Sequence, residues 1–270
     1  MGHTDKESDM AEESNNTKTK RIQVKHRRPM LPPEEGFTEE EVLAFDRRLR
    51  GSLGEKGPLQ YTAQPKIQGI AVQIAYEAGT LSLATTMGNG YEGEIVTANI
   101  KTILTVPLTL WLIGDAPPFP EFLEVRGDVY METAALEALN RSRTEKGIPP
   151  FKNAKEAAED SLRQDNPRIT ARRPLNIFCF DVGEIKAPRP ATSYEMMVIL
   201  QSWGFRVNRP HIRVCSNPDE LLEGCRIIRE KQEEFPFRVE GALIQLNRLE
   251  LGEREGSRDH VPARAFVYKF

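Results

Sequence analysis

Four stretches of the chain hold residues whose types and spacing could do chemistry. In the run Ala63-Gln64-Pro65-Lys66-Ile67-Gln68-Gly69-Ile70-Ala71-Val72 a single lysine sits among apolar residues, with a glycine three positions on. A lysine amine in such a place could act as a nucleophile. Ile67, Ile70 and Val72 read as strand, and Gly69 marks a close backbone approach. Gln68 puts no charge beside the amine, and on spacing alone an ordinary lysine at a strand end is the simpler reading. Farther on, Arg163, Arg168, Arg172 and Arg173 crowd into 11 residues among polar turn formers. Such a patch suits phosphates along a nucleic-acid backbone, and a solvated charged loop is the competing reading.

Gly88-Asn89-Gly90-Tyr91-Glu92-Gly93 matches the spacing of a dinucleotide-binding turn after a strand-like run. The next apolar run ends without an acidic residue placed for a ribose, so a plain glycine turn is favoured. Arg126-Gly127-Asp128 spells an adhesive tripeptide, but its surroundings, Leu-Glu-Val before and Val-Tyr-Met after, read as a strand.

The elements that would position these residues are legible from capping and periodicity. Thr38 with Glu41 three residues later forms a capping pattern, and Val42, Leu43, Phe45 and Leu49 make an apolar stripe ending near Gly51. From Leu59 to Met87 the alternation predicts strands with a turn at Glu77-Ala78-Gly79. Residues 92–104 are expected to be helical, 107–114 and 121–131 strands, 132–146 a helix and 176–185 a strand. Residues 193–205 and 219–235 are expected to be helices, and 239–247 and 265–270 strands. Strands and helices mix without a βαβ rhythm, which predicts an α+β fold with largely antiparallel sheets.

A formal net charge of −3 leaves no global basic excess, so any nucleic-acid surface has to be local. The three cysteines, Cys179, Cys215 and Cys225, make no metal-binding spacing, which fits a reducing, cytoplasmic setting. No apolar run is long enough to span a bilayer, so no membrane association is expected. Residues 1–28 lack large apolar groups and read as a disordered polar tail ending in the basic residues Lys18, Lys20, Arg21, Lys25, Arg27 and Arg28. Residues 29–270 read as one domain.

Taken in order, HRRPML (26–31), KIQGIAV, TMGNGYEGE, TANIKTI, LEVRGDVYM, SLRQDNPRITARRPL, VEGALIQLN and the closing VYKF resemble the adenylation domain of bacterial NAD-dependent DNA ligases. The resemblance implies a covalent nucleotidyltransferase fold, two antiparallel sheets flanked by helices with AMP between them. It implies that Lys66 attacks NAD to form a lysyl-AMP, with magnesium as a further requirement, and that the adenylate passes to nicked DNA. Lys269 would lie against the transferred phosphate. Gln64, Ile67, Asp128, Phe180 and Gln245 would contact the nucleotide, Phe180 by stacking on the base. Arg163, Arg168, Arg172 and Arg173 would face nucleic acid.

Several positions depart from the family pattern. Gln68 replaces the aspartate of KxDG, and Gln64 the glutamate two residues before the nucleophile. Met87 and Asn89 replace the arginine and aspartate of TRGDG. Asp128 stands for the glutamate of RGE. Glu240-Gly241 replaces Asp-Gly, Gln245 replaces the motif lysine of DGxVxK, and Pro32-Pro33-Glu34-Glu35 fills the place of an SLxN segment. Lost cations at 87 and 245 predict weak or absent lysyl-AMP formation, and a protein acting through nucleotide or nucleic-acid binding. The other expectation is an active transferase using NAD or ATP. The chain is expected to stand alone, without the family's other modules, so that joining nicks would need a partner subunit.

Overall fold

The computed structural model describes residues 21–251, 257–258, 261–262 and 264–270. The first 20 residues of the expected tail lie outside the described residues. At its other end Gln23–Lys25 is a strand, β1, paired antiparallel with Glu92–Glu94, β6.

Two sheets carry the fold. In the first, strands β2 (Glu34–Gly36), β13 (Ala265–Lys269), β10 (Val239–Leu246), β3 (Tyr61–Ile67) and β9 (Arg213–Cys215) lie in that order. Only the β2–β13 pair among them is parallel. The second sheet runs β5 (Thr80–Thr86), β4 (Ile70–Glu77), β7 (Phe122–Met131) and β8 (Leu175–Ile185), all antiparallel. Ser257–Arg258 (β11) pairs with Val261–Pro262 (β12). β3 and β4 follow each other in the chain yet belong to different sheets, so Gln68 and Gly69 are the corner between them.

Each sheet has its own core. Helix α1 (Glu39–Leu53) and helix α7 (Pro218–Glu230) cover the first sheet, burying Val42, Phe45, Leu49, Leu221 and Cys225 against Tyr61, Ile244 and Phe266. Phe45 is 1% exposed and touches the rings of Tyr61 and Phe266. The second sheet packs Ile74, Val125 and Ile177 against α4 (Ala154–Leu162), α6 (Ser193–Ser202) and the segment from Val96 to Leu110. A small seam of Ile67, Tyr130 and Phe237 joins strands of the two sheets. Mixed, mainly antiparallel sheets flanked by helices are the α+β class that the pattern predicts.

The caps formed as their residues dictate. Thr38 and Glu41 make a reciprocal capping box, and the helix runs past Gly51 to a left-handed Gly54. Thr192 with Glu195 does the same for α6. Helix α3 spans Thr133–Glu145, as expected. Two stretches differ. Residues 92–104 hold β6 and only one turn of helix, α2 (Thr97–Ile100), because Glu92–Glu94 finds a strand partner in β1. Residues 107–114 are not a strand; Thr109 makes a single bridge to Thr80, and Leu108, Trp111, Leu112 and Ile113 are about half exposed. The arginine-rich stretch 163–173 begins at the residue that ends α4 and contains a short helix, α5 (Pro167–Ala171), capped by Asn166. Among the described residues no helix is long and apolar enough to cross a membrane.

Candidate functional site

The two sheets face each other across a cavity of about 780 Å³, lined by Lys66, Leu243, Gln245 and Val267 from one and by Ile70, Asp128 and Phe180 from the other. Sheet register explains why these side chains meet. Lys66 lies opposite Gly241, which lies opposite Lys269, so the two lysines share a rung two strands apart with no side chain between them. That rung spacing sets their backbones roughly 10 Å apart. A side chain at 241 would meet the Tyr268 carbonyl at 2.2 Å, so the glycine is required where these strands approach.

Lys66 stands beside the corner between the sheets. Gly69 is fixed there because a Cβ would lie 2.5 Å from the Val129 carbonyl, and the Gln68 amide donates to the Arg238 carbonyl at 2.9 Å. The Lys66 Nζ reaches across the gap to Asp128 Oδ2 at 2.7 Å and is 3.3 Å from the Ile67 carbonyl. Asp128 is 4% exposed, and its second oxygen, Oδ1, is buried without a hydrogen-bond partner. A buried acceptor left in that state is a place where a ligand donor would be favoured.

The remaining predicted residues divide. Phe180 is the extra residue of a bulge, because Arg126 pairs with Asp181 while Gly127 pairs with Cys179; bulges turn a side chain aside from the regular alternation. Its ring lines the cavity. Gln245 lines it as well; Gln64, 4% exposed, does not line the cavity and donates to the Gln245 side-chain oxygen at 3.1 Å, an uncharged amide pair. Ile67 does not face the cavity; its side chain is 3% exposed in the seam with Tyr130 and Phe237. Lys269 is drawn to Glu35, 2.6 Å from its Oε2. Met87 lines the cavity with an apolar side chain.

The arginines expected to form one surface do not act as a unit. Arg163 turns into the cavity wall and is bound to Glu94 at 2.9 Å and to Glu159, so its charge is already answered. Arg168 and Arg172 are exposed on and just after α5, and Arg173 is half-buried. The Gly88–Gly93 turn opens no helix: Asn89 Oδ1 accepts from the amides of Tyr91 and Glu92, and β6 follows. It anchors the 26–31 segment instead, through His26 to the Tyr91 carbonyl and Met30 to the Gly90 carbonyl.

Three residues of the site, Arg126, Asp181 and Arg264, were given no role from the sequence. Arg126 donates to the carbonyls of Arg28 and Pro29 at 3.1 and 2.9 Å, fixing the segment that roofs the cavity. Burial lowers its ordinarily high pKa, the nearby Asp181 acting the other way. Asp181 and Arg264 form a 2.8 Å pair across the sheets. Burial likewise pushes the Cys179 thiol up to about 12, which leaves it inert. Among the described residues no group of three or more His, Cys, Asp or Glu side chains could hold a metal ion.

The site is thus a cleft between two mainly antiparallel sheets, with an amine paired to a buried carboxylate in its wall and an aromatic ring lining it. Residues 18–270 match the NAD-dependent DNA ligase adenylation domain. The chain belongs to that family. It is 40% identical over 250 residues to a DNA ligase of Geotalea daltonii, covering 92% of this chain and 37% of the relative. A DNA ligase of Syntrophobacter fumaroxidans is 41% identical over 246 residues, 91% of this chain and 36% of the relative. The chain thus spans little more than a third of the length of these relatives. Solved structures show low similarity: a mycobacterial DNA ligase D complexed with ATP and MES has a TM-score of 0.43 at 10% identity, covering 78% of this chain and 54% of the other. An archaeal ATP-dependent RNA ligase has 0.41 at 17%, covering 82% and 45%.

Proposed function

We propose that the chain binds an adenine nucleotide, NAD or ATP, between its two sheets, forms lysyl-AMP on Lys66 weakly or not at all, and acts through reversible nucleotide and nucleic-acid binding. The observation that carries this reading is the cavity lining, where Gln245, bonded to the neutral amide of Gln64, and Met87 add no charge. In the family pattern both 245 and 87 are cations. Each charge-assisted bond to a phosphate contributes about 1.5–3 kcal/mol, so their absence removes roughly 3–6 kcal/mol. In rate that is on the order of 10² to 10⁴.

The residues present still fit a nucleotide. Phe180 offers a face to a base, Asp128 Oδ1 offers an unpartnered acceptor to a hydroxyl, and the lined volume admits a ligand of that size. Magnesium, which prefers phosphate and water oxygens to a protein cage, would enter with the nucleotide.

One feature favours the active alternative. An amine must shed a proton before it attacks phosphorus, and Asp128 Oδ2, 2.7 Å from Lys66 Nζ, is placed to accept it. In that reading the Lys66–phosphorus bond forms as the bond to the leaving group, nicotinamide mononucleotide or pyrophosphate, breaks. Nick joining with a partner subunit would follow. The exposed Arg168 and Arg172 are the surface for a duplex in either reading.

Equilibrium titration with NAD and with ATP tests the conclusion. Saturable binding that Lys66→Ala weakens by less than about tenfold is expected, since no covalent bond is needed. Absence of saturable binding to either nucleotide would overturn it.

A further inference from the structure

Deeper in the cavity two guanidiniums converge on one carboxylate, and the pairing is incomplete. Arg126 spends its Nε on Gln73 Oε1 at 3.3 Å and its Nη2 on the carbonyls of Arg28 and Pro29. Its remaining Nη1 points toward Asp181 Oδ2 but stops at 3.8 Å, too far for a hydrogen bond. Arg264 reaches the same oxygen at 2.8 Å from the other sheet, its backbone held by the Leu246 amide at 2.9 Å from its carbonyl. All three side chains are mostly sheltered, at 11%, 18% and 15% exposure for Arg126, Arg264 and Asp181. All three line the cavity.

Two cations facing one anion leave a positive excess in a partly desolvated place. Glu124, the next acid near Arg126, directs its carboxylate to the Glu184 amide at 3.0 Å, and burial raises its pKa. Guanidiniums arranged as a fork match phosphate oxygens better than a carboxylate does, since a phosphate brings more acceptor oxygens and up to twice the charge. We propose that Arg126 and Arg264 form a phosphate subsite which Asp181 occupies in the empty protein, so that an incoming phosphate group displaces the Asp181 carboxylate and bridges the two sheets in its place. The subsite deepens the nucleotide-binding reading above and rests on it. It supplies cationic partners from positions other than 87 and 245.

The test is a sign. If Asp181 competes with the ligand, Asp181→Asn removes a rival anion and tightens binding of inorganic pyrophosphate and of ATP, by about tenfold for loss of one charge-assisted contact. Arg264→Gln weakens both by a similar factor. A purely structural ion pair predicts the same direction for the two variants, a loss of binding in step with a loss of thermal stability. Asp181→Ser, whose smaller side chain cannot reach Arg264, provides a second removal of the carboxylate should the asparagine variant fold poorly. Opposite shifts support the subsite. Parallel losses, or ATP binding that neither change moves, overturn it while leaving the nucleotide reading intact. No binding of ATP or pyrophosphate by any form overturns both.

Discussion

Lys66 is useful only if the charges around it permit, and at two positions of the same cavity, 87 and 245, uncharged residues stand where the resemblance leads one to expect cations. Met87 and Gln245 both line it, and neither is charged. If the two missing cations limit the chemistry, Met87→Arg with Gln245→Lys should raise AMP transfer to Lys66 by at least tenfold over the parent, measured as alkali-stable, acid-labile label retained on the protein from ATP or NAD radioactive in the adenylate. An unchanged yield would place the limitation elsewhere, in the Lys66–Asp128 pair itself. The residues that motif register brings into view, Lys66, Asp128, Phe180 and Gln245, all reached the cavity or its wall. Ile67 did not, because alternation along β3 sends its side chain to the opposite face from Lys66. The contacts of Asp181, Arg264 and Glu35 were not legible beforehand for the same kind of reason. Glu35 lies on β2, Asp181 on β8 and Arg264 just before β13, and only the pairing of β13 with β2 and the approach of the two sheets gives each its partner.

At the scale of elements, local rules served well wherever a helix could be capped by its own neighbours. The boxes at Thr38 and Thr192 close on side chains three residues away, so nothing remote is needed to predict them. Residues 92–104 and 107–114 failed because their fate depends on distant segments. The first becomes strand only by meeting β1, and the second stays irregular with its apolar side chains half exposed. The sheet itself holds a titratable group with a clear consequence. Glu124 on β7 is 3% exposed, and burial raises its pKa although the Glu184 amide and Arg126 oppose that. A carboxyl whose folded pKa is raised contributes stability below its unfolded value, near 4.3, and that contribution is lost as pH rises through the folded value. Glu124→Gln should therefore stabilise the protein at pH 7 relative to the parent, with the gain shrinking as pH is lowered toward 4. Urea melts at pH 4 and 7 check this, and a gain equal at both values would contradict it.

For the whole molecule, function follows from how two sheets with separate cores hold a cavity between them. Among the described residues, Lys66 to Asp128 and Arg264 to Asp181 are polar links across it, beside the apolar seam of Ile67, Tyr130 and Phe237. Polar links of this kind exchange with a charged ligand at less cost than apolar packing would. An antiparallel α+β architecture was legible from alternation alone, and the family from the order of its motifs. The two facing sheets came from the resemblance and not from local pattern, because alternation runs through Leu59 to Met87 without showing that β3 and β4 part company at Gln68 and Gly69.

The central claim, that the cavity binds nucleotide but transfers AMP poorly, is tested most directly by intact-protein mass after incubation with magnesium and NAD, and separately ATP, with Lys66→Ala alongside. The account predicts no substantial fraction of either protein heavier by one AMP. A stoichiometric gain of one AMP in the parent, absent from Lys66→Ala, would contradict it and establish Lys66 as a working nucleophile.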